Sequence, residues 1–288
     1  MDRLEDFLSE RGFARTTQTN YSQILQDIGA WMEAQGLAAR KLTARHFDAW
    51  LATKTWANST EINALCAIRS YLDWRFPKGH NFTKRIKRIE PEPGRALDHG
   101  QVLQLLGAAR ARSSRDYALV ITMLETGLRS SEACRLKVSD VDLETCKLSV
   151  LQKGGRIRHS VFTRDASAAI ETWIHDSRGL RVMYEGRTYP HLFLALGGIR
   201  PGRPLTRDGL RSVFRRLGDA AELGLLSPHD LRRTFCTEAV ARGANLRLLM
   251  VQGGWSQLAM VQRYSASLQP EAFRDFLPSY NGREKRRA

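Results

Sequence analysis

Between Pro77 and Arg95 the sequence PKGHNFTKRIKRIEPEPGR drops the helical spacing of apolar residues that precedes and follows it, and gathers proline, glycine and a KRIKR cluster instead. A break of this kind in a chain of 288 residues, long enough for two modest cores, predicts two bodies rather than one. We expect a first domain over residues 1–76, a basic interdomain linker over 77–96 and a second domain over 97–288. The linker cations Lys84, Arg85, Lys87 and Arg88 can follow a phosphate backbone or serve as a solvated tether.

The first 76 residues read as four helices: Leu4 to about Glu10, Thr16 to Gln35 ended by Gly36, Thr43 to about Thr53, and Asn58 to Phe76 ended by Pro77. Tyr21, Ile24, Leu25, Ile28, Trp31 and Met32 keep the spacing of one buried face along the second. The fourth carries Ile62, Leu65, Cys66, Ile68, Arg69, Leu72 and Trp74. A bundle of this size without a catalytic constellation is a binding module or a structural cap.

After Asp98, a candidate N-cap, a helix runs through Ala109. A second starts at Ser114, with Tyr117, Leu119, Val120, Met123 and Leu124 as core, and Gly127 ends it. Ser130 or Ser131 is expected to cap the next helix, with Glu132 in its first turn complementing the dipole. Arg129 then lies at a junction of two helix ends, where its fork can serve a salt bridge or a phosphate. KLSVLQ and RIRHSVF alternate as two strands around Lys153-Gly154-Gly155, a hairpin turn with Lys153 near the tip. A helix follows over Asp165 to His175, then an extended run from Leu192 to Ala195 and a GGIRPGRP loop. The fold class is therefore mainly α with a small β-hairpin or sheet (α+β).

The chain carries 45 Lys+Arg against 30 Asp+Glu, a net charge of +15, with both halves basic. That balance favours a polyanionic partner, nucleic acid before an anionic membrane. Four scattered cysteines without a C-x-x-C pair argue against a disulfide framework or a metal site. No apolar run approaches the length of a membrane span, and MDRLEDFLSE is acidic and amphipathic rather than a signal peptide, so a cytoplasmic location is expected.

The helix capped by Thr206 places Leu210, Val213, Phe214 and Leu217 inward and aligns Arg207, Arg211 and Arg215 at i, i+4, i+8. Like charges so spaced repel by a few tenths of a kcal/mol per pair. A bound polyanion would offset that repulsion, and a solvated face is the alternative. Further on, Ser227 and Pro228 open a helix with His229 and Arg232 on one face of its positive end, a natural phosphate seat. A helix from Asn245 buries Leu246, Leu249 and Met250 and stops at Gly253-Gly254. Another, from about Gln257, carries Leu258, Val261 and Tyr264.

TGLRSSEACRL, then H-x-x-R, then G-G-W, with a tyrosine nine residues beyond the tryptophan, resembles the tyrosine recombinase (phage integrase) family of the simple two-domain type. Trp255 stands where histidine is commoner in that family. The resemblance covers roughly the whole chain. It implies a core-site DNA-binding domain followed by a catalytic domain with Tyr264 as nucleophile and Arg129, Lys153, His229, Arg232 and Trp255 as its catalytic partners. Glu132 would support the site. It further implies a helix over Pro270 to Leu277 exchanged between protomers, double-stranded DNA with an inverted-repeat core site as partner, and a homo-oligomer, a tetramer, on the nucleoid.

The implied chemistry is attack by Tyr264 on a phosphodiester, giving a 3′-phosphotyrosyl link and a free 5′ hydroxyl without metal or cofactor. A phenol with a pKa of about 10 is a poor nucleophile until its proton is removed and the phosphate charge neutralised. The arginines suit the second task, His229 the first and Lys153 the protonation of the leaving oxygen. A type IB topoisomerase-like relaxing enzyme and a catalytically silent DNA-binding regulator are the alternatives.

Overall fold

Apolar residues at helical spacing close the first four helices, α1 (Leu4–Glu10), α2 (Arg15–Ala34), α3 (Ala44–Leu51) and α4 (Asn58–Arg75), around an aromatic core. They belong to a computed structural model that describes residues 3–87, 89, 94–152, 154–182, 189–198 and 201–262. Ile24, Leu25, Ile28 and Met32 of α2 are buried, while Tyr21 and Trp31 pack at the margin. Phe7 meets Tyr71 edge-on with ring centroids 5.5 Å apart. Cys66, on the outer side of α4, is exposed.

The stretch expected to be a linker is largely part of this first body. Phe82 is buried in the core with its ring 5.7 Å from that of Phe47, and Ile86 packs beside it. Asn58 pins the backbone beyond, its amide donating to the Lys87 carbonyl at 3.2 Å and its Oδ1 accepting from the Ile89 N–H at 2.9 Å. The chain divides into Met1–Glu92 and Pro93–Ala288. One buried phenylalanine contributes roughly 1.5–3 kcal/mol. That is enough to hold a segment whose composition reads as a tether.

In the second body α5 (His99–Arg112) is capped by Asp98, whose carboxylate accepts from the Gln101 N–H at 2.9 Å. α6 (Ser114–Thr126) is the central helix, with Ala118, Leu119, Val120 and Met123 buried, and it ends on Gly127 in the left-handed region. Tyr117 and Leu124 are only partly buried. α7 (Ser130–Arg135) follows after two residues. A three-stranded antiparallel sheet comes next, in the order β1 (Val141–Asp142), β2 (Lys147–Leu151), β3 (Ile157–Val161). The two residues of β1 are too few to show a period, so only the hairpin was legible in sequence.

The remaining helices are α8 (Arg164–Asp176), α9 (Arg178–Val182), α10 (Arg207–Ala220), α11 (Pro228–Ala241), α12 (Leu246–Gly253) and α13 (Leu258–Gln262). α5, α8 and α11 pack on α6, and α12 packs on β3. The run from Leu192 makes isolated bridges at its flanks, His191 with Lys137 and Leu194 with Pro204, rather than a regular strand. Of the two apolar residues that the sequence reading set on the last helix, Val261 is buried and Leu258 is 42% exposed. No helix among the described residues is long and apolar enough to cross a membrane. Tyr264, Lys153, Arg88 and the segment Pro270 to Leu277 lie outside the described residues.

Candidate active site

Gly127 ends α6 with φ of 59°, and a Cβ there would lie 2.5 Å from the Phe235 ring of α11. Leu128 is then fully buried, so the chain has little freedom before Arg129. Arg129 itself, not Ser130 or Ser131, occupies the N-cap position of α7. Glu132 does more there than complement the dipole: its Oε2 accepts from the Arg129 N–H at 2.9 Å and its Oε1 from Arg129 Nη1 at 2.8 Å. Arg129 Nη2 donates to the Gly254 carbonyl at 3.1 Å. One local anchor and one from a distant segment thus fix a guanidinium whose side chain is still 34% exposed.

Glu132 is 4% exposed and has a second cation, Arg158 of β3, with Nη2 3.2 Å from its Oε2. Burial alone would raise the carboxyl pKa. The hydrogen bond from the Arg129 amide, the charge of Arg158 and the Arg129 side chain outweigh it and hold the group below its ordinary value. Arg158 also donates through Nη1 to Ser160 Oγ and to the Gln252 carbonyl at the end of α12. Sequence reading passed over Arg158. Its trace in the sequence is an arginine at the inward parity of a strand, paired with Val150.

The G-G-W turn has a steric explanation. Gly254 has φ of 68°, and a Cβ on it would lie 2.6 Å from Arg158 Cδ; a Cβ on Gly253 would run into the Trp255 ring. The Gly254 carbonyl accepts from Gln152 Nε2 at 3.3 Å as well as from Arg129. Trp255 is buried in a small core with Cys236, Val240, Leu249 and Val261. Its ring lies parallel to that of Phe235, centroids 6.3 Å apart, and 4.0 Å beneath the guanidinium carbon of Arg232. Arg232 Nη1 donates to the Gly127 carbonyl. Burial pushes the Cys236 thiol beneath this cluster up to about 12, which leaves it an inert packing group.

His229 occupies a different setting. Asp230 takes the Ser227 N–H at 2.8 Å and the Ser227 hydroxyl at 2.9 Å, fixing the first turn of α11 and leaving His229 at the surface. There it lines a cleft of about 460 Å³ with Arg129, Ser130, Ser131, Arg207, Arg211 and Arg215. Partial desolvation in the cleft and the guanidiniums of Arg233, Arg232 and Arg129 push the imidazole pKa below its ordinary value, against an opposing pull from Asp230. The stripe on α10 therefore faces the same concavity as Arg129 and His229. Arg211 keeps an exposed ion pair with Asp208 at 3.1 Å.

Arg129 and His229 thus meet in the cleft, and Arg232 is 5% exposed beside Trp255. In the first body, Arg85 and Lys87 are exposed. Lys84 pairs with Asp48 at 2.7 Å instead of standing open. Among the described residues no three His, Cys, Asp or Glu side chains gather as metal ligands.

A profile of the phage integrase family matches residues 95–271. The tyrosine recombinase XerC of Mycobacterium leprae is 27% identical over 92% of this chain and 93% of its own length. The protein of the same name from Halalkalibacterium halodurans is 29% identical over 89% and 88%. Among solved structures, the Tn1549 transposon integrase in complex with circular intermediate DNA superposes with a TM-score of 0.75 at 19% identity, covering 96% of this chain and 99% of that one. A lambda integrase dimer bound to a COC′ core site gives 0.67 at 19% identity, covering 91% and 93%.

Proposed function

The chain belongs to the phage integrase family, and on that premise we propose how its residues divide the work of a site-specific DNA recombinase. The curated relatives that match nine-tenths of it bear the name tyrosine recombinase, which supports strand exchange over a topoisomerase-like relaxing activity or a silent regulator. The partner is double-stranded DNA.

Tyr264 attacks the scissile phosphorus, forming the phenolic O–P bond as the P–O5′ bond breaks. The phenol proton leaves through His229, whose lowered pKa keeps its ring neutral and able to accept near pH 7. Lys153 gives the departing 5′ oxygen its proton. Arg129 and Arg232 face the nonbridging oxygens, where forked donors match a phosphate and stabilise the charge that grows in the transition state. Trp255 holds Arg232 from below and carries the indole N–H as a further donor. The bond energy is kept in the 3′-phosphotyrosyl link, so a hydroxyl from another strand can reverse the step without ATP or metal.

The observation that carries this reading is the fixed, partly open Arg129 at the wall of a cleft shared with His229 and the arginines of α10. Arg207, Arg211 and Arg215 give that cleft the sign a DNA backbone requires. On the first body Arg85 and Lys87 are exposed cations suited to a phosphate backbone, Arg88 is assigned the same role, and this helical body is the core-site binding domain. An inverted-repeat core, a tetramer on DNA, exchange of the segment Pro270 to Leu277 between protomers, and a cytoplasmic, nucleoid-associated location complete the proposal.

The test is a denaturing gel for protein bound covalently to DNA, run in excess EDTA. Wild type should form the adduct, and Tyr264→Phe should bind DNA with unchanged affinity and form none. A normal adduct yield from Tyr264→Phe, or strict dependence on a divalent metal, would refute the mechanism.

A further inference from the structure

Strand β3 is folded inside out. Ile157 and Val161 are 63% and 56% exposed, while Arg158 and Ser160 take the buried parity, opposite Val150 and Leu148. Taking a guanidinium out of water costs several kcal/mol that its partners must offset, so its presence there works against the local preference of the strand. Such local violations gather at functional positions.

The partners of Arg158 show what it does. Arg129 has two anchors, the Glu132 carboxylate and the Gly254 carbonyl. Arg158 Nη2 holds Oε2 of that carboxylate at 3.2 Å. Its Nη1 holds the Gln252 carbonyl, and its stem lies where a Gly254 side chain would be, so the turn presenting the Gly254 carbonyl closes over it. Both supports of the Arg129 fork therefore rest on one side chain. That side chain sits on the hairpin of β2 and β3, and its partner turn leads directly into Trp255. We propose that Arg158 is a positioning residue for strand cleavage, acting through Glu132 and the Gly253-Gly254 turn to hold the Arg129 guanidinium at the scissile phosphate. The inference rests on the recombinase reading above.

Lysine cannot replace it. A single ammonium keeps the charge but not the planar fork that reaches acceptors on two segments at once. Arg158→Lys should thus fold, bind DNA and still leave Arg129 poorly placed.

The experiment compares two duplexes carrying the site recovered from DNA trapped on Tyr264, one with an ordinary scissile phosphodiester and one with a methylphosphonate there. The methyl group removes a nonbridging oxygen and its negative charge, and with it the need for an exactly held Arg129. Covalent adduct formation by Arg158→Lys and by Arg158→Met should fall roughly 10–100-fold on the phosphodiester, the usual effect of removing an outer support. On the methylphosphonate both should approach wild type, and Arg158→Lys added to Arg129→Ala should cause no further loss on the phosphodiester. A merely structural residue would lower both substrates by the same factor, since a smaller folded fraction is blind to the substrate. Equal losses on the two duplexes, or full additivity with Arg129→Ala, would overturn the proposal. Failure of the wild type itself to form the Tyr264 adduct would instead overturn the recombinase reading.

Discussion

The guanidinium carbon of Arg232 lies 4.0 Å from the ring centre of Trp255, whose plane runs parallel to that of Phe235. The pair explains why a large indole can stand in a turn otherwise built of glycine. A desolvated cation over an aromatic face contributes about 2 kcal/mol, and the ring fixes the plane in which Arg232 sits.

Trp255→Phe should therefore retain most strand cleavage, because the aromatic face survives. Trp255→Ala should lose both the face and the core packing, about 3–5 kcal/mol of stability for a buried indole. Thermal unfolding alongside the covalent-adduct assay checks this. A Phe variant as damaged in cleavage as the Ala variant, at wild-type stability, would assign the indole N–H as the decisive group instead.

Lys153 as general acid predicts a leaving-group effect. Lys153→Ala should be slowed by about 10²–10⁴-fold on ordinary DNA, yet recover on a 5′-bridging phosphorothioate, whose sulfur leaves as a thiolate without needing a proton. Arg129→Ala and Arg232→Ala should show no such recovery. If Lys153→Ala stays equally slow on both substrates, the acid is another group, with His229 the first to try.

The pH dependence follows from the two shifted groups. The folded-state pKa of Glu132 is depressed, so its contribution to stability is complete above the unfolded carboxyl value of about 4.3 and is lost as pH falls through the folded value. Glu132→Gln should flatten that acid limb of the thermal unfolding profile. His229 is also depressed, so its neutral form persists below the ordinary histidine value of about 6.5, and cleavage should hold there before declining. A cleavage rate that already halves well above pH 6.5 would contradict a neutral His229 as the base.

Gly254→Ala should cost about 1–3 kcal/mol from the left-handed backbone alone. The added methyl also runs into Gln152 Nε2 and meets Arg158 Cδ at 2.6 Å, so these side chains or the turn itself must move. We expect a larger fractional loss of cleavage than of DNA affinity, measured by adduct formation and by gel shift. Equal losses would mean that the turn supports the fold alone.

Much of this was legible in the residues. Gly127, Thr206, Ser227 and Gly254 punctuate the helices where capping chemistry places them, and the α10 arginines share one side of their helix as their spacing requires. What stayed hidden depended on contacts between distant segments. Phe82 draws a tether-like stretch into the first core, and Arg158 is buried only because Glu132 and Gln252 arrive from elsewhere. Neither partnership leaves a local period, and β1 is too short to have one.

The anchor between Arg129 and Gly254 joins positions 125 residues apart. A ribosome adding about 5–20 residues per second needs roughly 6–25 s to cover that interval. Throughout it Arg129 can reach the Glu132 carboxylate, three residues on, but not the Gly254 carbonyl that takes the other arm of its fork. A chain cut short late in that interval keeps the basic stripe of α10 and lacks the second anchor of the Arg129 fork, so the fork is set only once the G-G-W turn has emerged.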